Sequence, residues 1–182
     1  MVRRDGPRRA RATAEGPVDP AAELAPQVAY ERALALGRAG RHGKALPYYR
    51  RAITGVAEDF WDLHFNYGTA LYNTTLVIES RHGTPLLGTR SSIERIERMR
   101  ECLAELDRAE SLAPTSDVVA TIRSQRGRIL QVWGLPWETF VAYRRAQEAA
   151  PGRGDLARMA DAFMEVMEHP QGASSPEPQA LP

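Results

Sequence analysis

Four histidines and a single cysteine are the residues best able to do chemistry here, and their spacing argues against most of it. His42, His64, His82 and His169 are scattered, and no two stand at a spacing suited to a shared metal. Asp62 lies two residues before His64, which on a helix points the two side chains apart. Cys102 sits in Glu101-Cys102-Leu103-Ala104 and reads as a small buried apolar position, with no second cysteine for an internal disulfide. Arg41-His42-Gly43-Lys44 follows no strand, so it reads as a turn between helices, not a phosphate loop. No Ser/His/Asp order and no Cys/His cluster is present. The sequence predicts a non-enzymatic protein with no metal and no cofactor.

Two other features point to binding. Arg123, Arg126 and Arg128, near Arg144 and Arg145, could form a basic patch for an acidic peptide or a phosphate. Leu86 and Leu87, between Pro85 and Gly88, offer an apolar pair on a Gly/Pro-rich loop as an anchor for a partner. Folding back onto the scaffold is the competing use of that pair.

The elements that must position these groups follow from periodicity. Residues 1–25 hold five arginines in the first eleven positions, with glycines and prolines and no helical or strand period, so a disordered basic arm is expected. From Pro26 apolar residues recur at helical spacing: Val28, Ala29, Ala33 and Leu36, then Ala45, Tyr48, Tyr49, Ala52 and Ile53. Pro47 falls early in the second of these helices, where a first turn would tolerate it. A third helix is predicted over about 59–78, a loop over 80–90, and a fourth helix capped by Ser91 with Glu94. The fourth helix stops at Pro114. A hairpin over 118–150 follows, then a last helix from Asp155 with Leu156, Met159, Ala160, Phe163 and Met167 on one face. Residues 169–182 carry prolines, serines and one charge, Glu177, and are expected to be a disordered tail.

The chain has 182 residues, 24 Lys plus Arg against 23 Asp plus Glu, and 26% charged residues, a balance unlike that of a dedicated nucleic-acid binder. Lys44 is the only lysine, as GC-rich codon usage would give. No apolar run approaches the ~18 residues of a membrane span, and the basic start lacks the apolar stretch of a secretory signal. A reducing cytoplasm is the expected compartment.

One arrangement occurs three times: a small residue in a first helix, an apolar residue three later, a break, then small and aromatic residues in a second helix. Ala33, Leu36, Gly40, Ala45, Tyr49 and Ala52 form the first set, and Gly127, Leu130, Gly134, Tyr143, Ala146 and Pro151 the third. Ala33 to Ala52 and Gly127 to Ala146 are both nineteen residues. Gly68 and Leu71, then Cys102, Leu106, Ala109 and Pro114, form a second set with about 22 extra residues inside it. Small residues at such positions let two helices approach closely.

This pattern, with Asn66-Tyr67-Gly68, resembles the tetratricopeptide repeat family, a 34-residue helix–turn–helix unit. The resemblance spans about 26–153 and implies an all-α, right-handed superhelix of antiparallel hairpins with about seven helices. Its repeats would be about 26–59, 61–116 with the inserted loop 80–90, and 120–153, and helix 155–168 would cap the end. It further implies a concave face of first helices that holds a peptide or a helix of another protein. By position that face includes Tyr30, Asp62, Phe65, Asn66, Thr69, Tyr72, Asn73 and Arg128. Only Asn66 matches the family's clamp for acidic chaperone tails; Tyr30, Leu34, Thr121 and Gln125 occupy the other positions. The expected role is a protein–protein adaptor. Two alternatives stay open: a module bound to nucleic acid or an anionic surface through the basic arm, and a self-assembling scaffold using the Met-rich face of 156–167.

Overall fold

The computed structural model describes residues 20–55, 60–82 and 90–168. Among these residues all regular structure is α-helical, in seven helices: α1 (Pro26–Arg38), α2 (His42–Ile53), α3 (Trp61–His82), α4 (Arg90–Ser111), α5 (Ser116–Val132), α6 (Pro136–Ala149) and α7 (Gly154–Glu168). The basic arm up to residue 19, the Leu86-Leu87 pair and the tail from 169 lie outside the described residues.

Helix starts and stops follow local chemistry. Pro26 and Pro136 open α1 and α6, where a missing N–H leaves no intrahelical bond unmade. Thr115 caps α5 by accepting from the Val118 N–H, and Asp117 adds a negative charge in its first turn. The turns of the first and third hairpins are the same object. Gly40 (φ 69°) and Gly134 (φ 71°) take the left-handed conformation just after α1 and α5. In the first turn Arg41 N–H donates to the Leu36 carbonyl at 2.9 Å and Gly40 N–H to Gly37 at 2.9 Å. In the third, Leu135 N–H donates to Leu130 at 3.1 Å and Gly134 N–H to Gln131 at 3.0 Å. Both are Schellman closures, and each delivers the chain directly into the next helix. The equal nineteen-residue spacing therefore reflects one turn used twice.

Three local expectations are corrected. Pro47 is the sixth residue of α2, not part of its first turn. Its ring removes the usual donor to the carbonyl of Gly43, an exposed position, and the helix continues. Helix α3 runs to His82, past the end expected near residue 78, because its partner α4 supports the added turn: Arg95 pairs with Glu79 there. Helix α4 already begins at Arg90, so Ser91 lies within it and does not precede it as a cap.

Each helix packs on its neighbours in sequence, with smaller contacts of α1 and α5 on α3. Inside each hairpin small residues set the spacing. The Gly68 carbonyl accepts from the Cys102 thiol at 3.1 Å, and a Cβ on Gly68 would stand 3.1 Å from the Cys102 carbonyl oxygen. A Cβ on Gly127 would reach within 2.7 Å of the Tyr143 ring. Rings then link one hairpin to the next. Tyr30, Tyr49 and Tyr67 follow one another at centroid distances of 6.4 and 5.8 Å, and Tyr143 meets Phe163 of α7 at 5.7 Å. Leu156 and Ala160 of α7 are buried, so α7 covers the outer face of α6. Ion pairs add cross-ties: Arg50 to Glu101, Arg123 to Glu110 and Arg126 to Asp107.

Gly127→Ala should therefore destabilise the chain by ~1–3 kcal/mol in urea unfolding, since Tyr143 is held between Gly127 and Phe163 and cannot swing away. Gly43→Ala is the opposite case: its nearest neighbour is Thr74 at 3.6 Å, so helix propensity should stabilise by up to ~1 kcal/mol. Equal effects of the two substitutions would contradict this account of the packing.

Candidate functional site

A polar groove lies between α1 and α3, where the two helices meet beside Tyr49. It has a volume of about 350 Å³ and is lined by Leu34, Arg38, His42, Asp62, Asn66 and Thr69, among others. Asp62, Asn66, Thr69 and Asn73 stand at steps of four, three and four along α3, which places them in one stripe. The Gly40–Arg41 turn brings Arg38 and His42 to the same rim from α1 and α2.

Tyr30 organises the groove floor. It is buried, and its hydroxyl donates to Asp62 Oδ2 at 2.8 Å while Asn66 Nδ2 donates to the hydroxyl at 3.4 Å. That fixes the rotamers of Asp62 and Asn66 and leaves the Asn66 carbonyl oxygen and a second N–H to other partners. The Thr69 hydroxyl is buried with no hydrogen-bond partner among the described residues. Burial, reinforced by Asp62, pushes the Tyr30 hydroxyl well above its ordinary value, so it stays a donor. Burial pushes His42 below the usual imidazole range and so favours its neutral form. The groove thus brings an amide and an anion in fixed places together with the Arg38 cation, a set that pairs with a peptide backbone and one polar side chain.

The other expected binding residues divide. Phe65 is half-buried and packs on Trp61, with ring centroids 6.1 Å apart. Tyr72 is half-buried against the main core, and Arg128 is exposed on α5 close enough to act electrostatically on both Tyr72 and Tyr143. Asn73 is half-buried and continues the α3 stripe. Tyr30, Asp62, Asn66 and Thr69 are brought together; Phe65, Tyr72 and Arg128 lie on the neighbouring α5 side. Arg38 and His42 join the groove although neither was expected there. No local signal marks them, because they reach the rim only through the turn.

The expected basic patch is assembled only in part: Arg123, Arg126 and Arg145 line one cleft, and acidic residues of α4 pair with the first two. Arg123 Nε donates to Glu110 at 2.9 Å and its Nη1 to the Arg145 carbonyl at 2.9 Å. Arg126 is paired with Asp107, and Arg144 donates to Gln147 at 2.8 Å. Arg128 points to the other side of α5, because residues two or five apart on a helix do not share a face. His64 pairs through Nδ1 with Glu105 at 2.7 Å, while Asp62 turns to Tyr30, so the two do diverge. Among the described residues no group of three or more His, Cys, Asp or Glu could hold a metal ion. Among them, too, no helix is long and apolar enough to cross a membrane.

Among the described residues the fold is all-α, with seven helices packed in successive pairs. Compared with known proteins, the chain matches no protein-family model and no curated protein.

Burial pushes the Cys102 thiol up to about 12 and Tyr49 to about 12, and it raises Tyr30, Tyr67, Tyr72 and Tyr143 as well. Each folded value lies above the unfolded one, so the stability these groups contribute is complete below pH ~8.5 for Cys102 and below pH ~10 for the tyrosines, and it falls as pH rises beyond these values. Helicity followed against pH should show alkaline unfolding that begins near pH ~10. Cys102, with no exposed surface, should not react with a thiol reagent at neutral pH until urea unfolds the chain. Rapid labelling of the native chain would contradict that burial.

Proposed function

We propose that the chain is a tetratricopeptide-like, non-enzymatic adaptor that holds a peptide or helix of another protein on the face formed by α1, α3 and α5. The observation that carries this reading is the polar groove whose Asp62 and Asn66 side chains are fixed from beneath, with the Thr69 hydroxyl buried beside them. Tyr30 holds Asp62 and Asn66 in place, and the Thr69 hydroxyl beside them has no partner among the described residues. Side chains held by the scaffold lose little entropy on binding, so a ligand gains more from each hydrogen bond. Phe65 and Tyr72 on the adjoining side supply apolar area for an anchor residue. The repeated Schellman turn and the close helix pairs support the repeat reading, as does α7 covering the last hairpin.

A second reading, self-assembly, is favoured by one observation. Thr74 lies level with the start of α2, at Gly43, so the last eight residues of α3 extend past that helix. Val77 and Ile78 are exposed on this extension, and Ile93 and Ile96 are exposed near the start of α4. Sedimentation at several concentrations separates the two: the adaptor reading expects one mass throughout, and self-assembly a mass that rises with concentration.

Asn66→Ala combined with Thr69→Ala should abolish capture of the partner by the purified chain while leaving helicity intact. Arg144→Ala, remote from the groove, should not change capture. Undiminished capture by the double variant would overturn the groove as the binding site.

A further inference from the structure

A pocket lies on the side of the first hairpin away from the α1–α3 groove. It has a volume of about 400 Å³ and is lined by Arg32 and Leu36 of α1, Arg41 of the turn, and Lys44, Pro47 and Tyr48 of α2. Helical spacing keeps the two sites apart. Arg32 and Leu36, one turn from each other, stand on the face of α1 opposite Leu34, Gly37 and Arg38, which line the groove. Arg41, Lys44 and Tyr48 follow at steps of three and four, so they form one stripe along the start of α2.

The cations of this pocket meet without a counter-charge. Arg32, Arg41 and Lys44 are exposed, and none makes a side-chain hydrogen bond or ion pair among the described residues. No acidic residue lines the pocket. Helix α2 has no acidic residue in its first turn and no side-chain cap, so the positive end of its dipole adds to the field. The cleft at Arg123, Arg126 and Arg145 is the contrasting case. Glu110 and Glu138 stand among its arginines, and Glu110 and Asp107 neutralise two of them. Like charges gathered around one pocket repel, and a bound anion relieves that repulsion.

The lining selects the kind of anion. A phosphate monoester carries about −1.5 to −2 charges at neutral pH and three acceptor oxygens, so it matches two guanidinium forks and an ammonium better than a single carboxylate does. Beyond the cations the walls are apolar: Leu36, Pro47 and the ring of Tyr48, which is half-buried against the core. Tyr48 is one turn along α2 from Lys44, ~6 Å by rise. The pocket has no amide or carboxylate side chain to pair with a peptide backbone. We propose that it binds a small phosphate monoester carried on a planar ring, with the phosphate between Arg32, Arg41 and Lys44 and the ring against Tyr48.

Lys44 is the only lysine, so reductive methylation with carbon-13 formaldehyde labels its side chain and, besides it, the α-amine. The modification keeps the charge. Phenyl phosphate added to the labelled full chain should shift the Lys44 methyl signal saturably and bind about tenfold more tightly than inorganic phosphate, and added salt should weaken both. No saturable shift at Lys44 would overturn the site. Equal affinity for inorganic phosphate would reduce it to surface cations and overturn the role of the ring. Arg32→Gln should weaken phenyl phosphate about tenfold. Arg144→Gln, which removes the same charge from the third hairpin, should leave the affinity unchanged; equal losses in the two variants would overturn the pocket in favour of net charge. Tyr48→Leu keeps an apolar side chain on the core and should cut the preference for phenyl phosphate to about threefold. An undiminished preference would overturn the contact with the ring. AMP distinguishes the sources of such a phosphate: affinity above that of phenyl phosphate assigns the planar ring to a nucleobase, and affinity below it to a simple aryl group.

Discussion

The close approach of the two helices within a hairpin is the constraint on which the rest of this structure depends. Tyr143 can lie in its slot only because Gly127 has no side chain, and Cys102 meets the Gly68 carbonyl only because that position is bare. Interiors at crystal-like density leave no room for a methyl group at such contacts. Once the pairs are closed, Tyr30 and Tyr49 meet within the first hairpin and Tyr49 reaches Tyr67 of the next, so the ring series crosses from one hairpin to the other.

Polar ties are arranged around that packing. Arg50 Nε donates to the Tyr67 hydroxyl at 2.9 Å and also pairs with Glu101, joining α2, α3 and α4. The exposed arm of this network, Arg50 to Glu101, contributes little energy by itself. Its effect is to keep the Tyr67 hydroxyl satisfied where the ring is buried. The same division appears at the α1–α3 groove, where Tyr30 is buried for packing and its hydroxyl fixes Asp62 and Asn66. A core residue thereby prepares a surface. Arg95 does the same at the far end, pairing with Glu79 while lying 4.9 Å from the centroid of Trp133.

Much of the fold was legible because its determinants are local. Helical period, Pro26 and Pro136 at helix starts, and Gly40 and Gly134 at the turns are all read within a few residues of where they act. The site was legible only in part. Asp62, Asn66 and Thr69 share a stripe that helical spacing alone predicts. Tyr30 belongs to the same site from beneath, and nothing in its neighbourhood in sequence distinguishes a floor from a rim. The Arg123–Arg126 pair read as a basic patch because Glu110 and Asp107, which neutralise them, lie 13 and 19 residues away.

The sequence by itself determined that the chain is helical, where its hairpins turn, and which small residues sit at the helix contacts, since each depends on backbone conformation or on the presence of a side chain. Tertiary structure decided which charges are left unpaired and which grooves stay open. Arg38 and His42 reach the α1–α3 rim because a turn carries them there, and Trp137 stands beside Arg145 because α4 and α5 frame that face of α6. Those outcomes depend on partners brought together across the fold, and spacing along one helix does not carry that information.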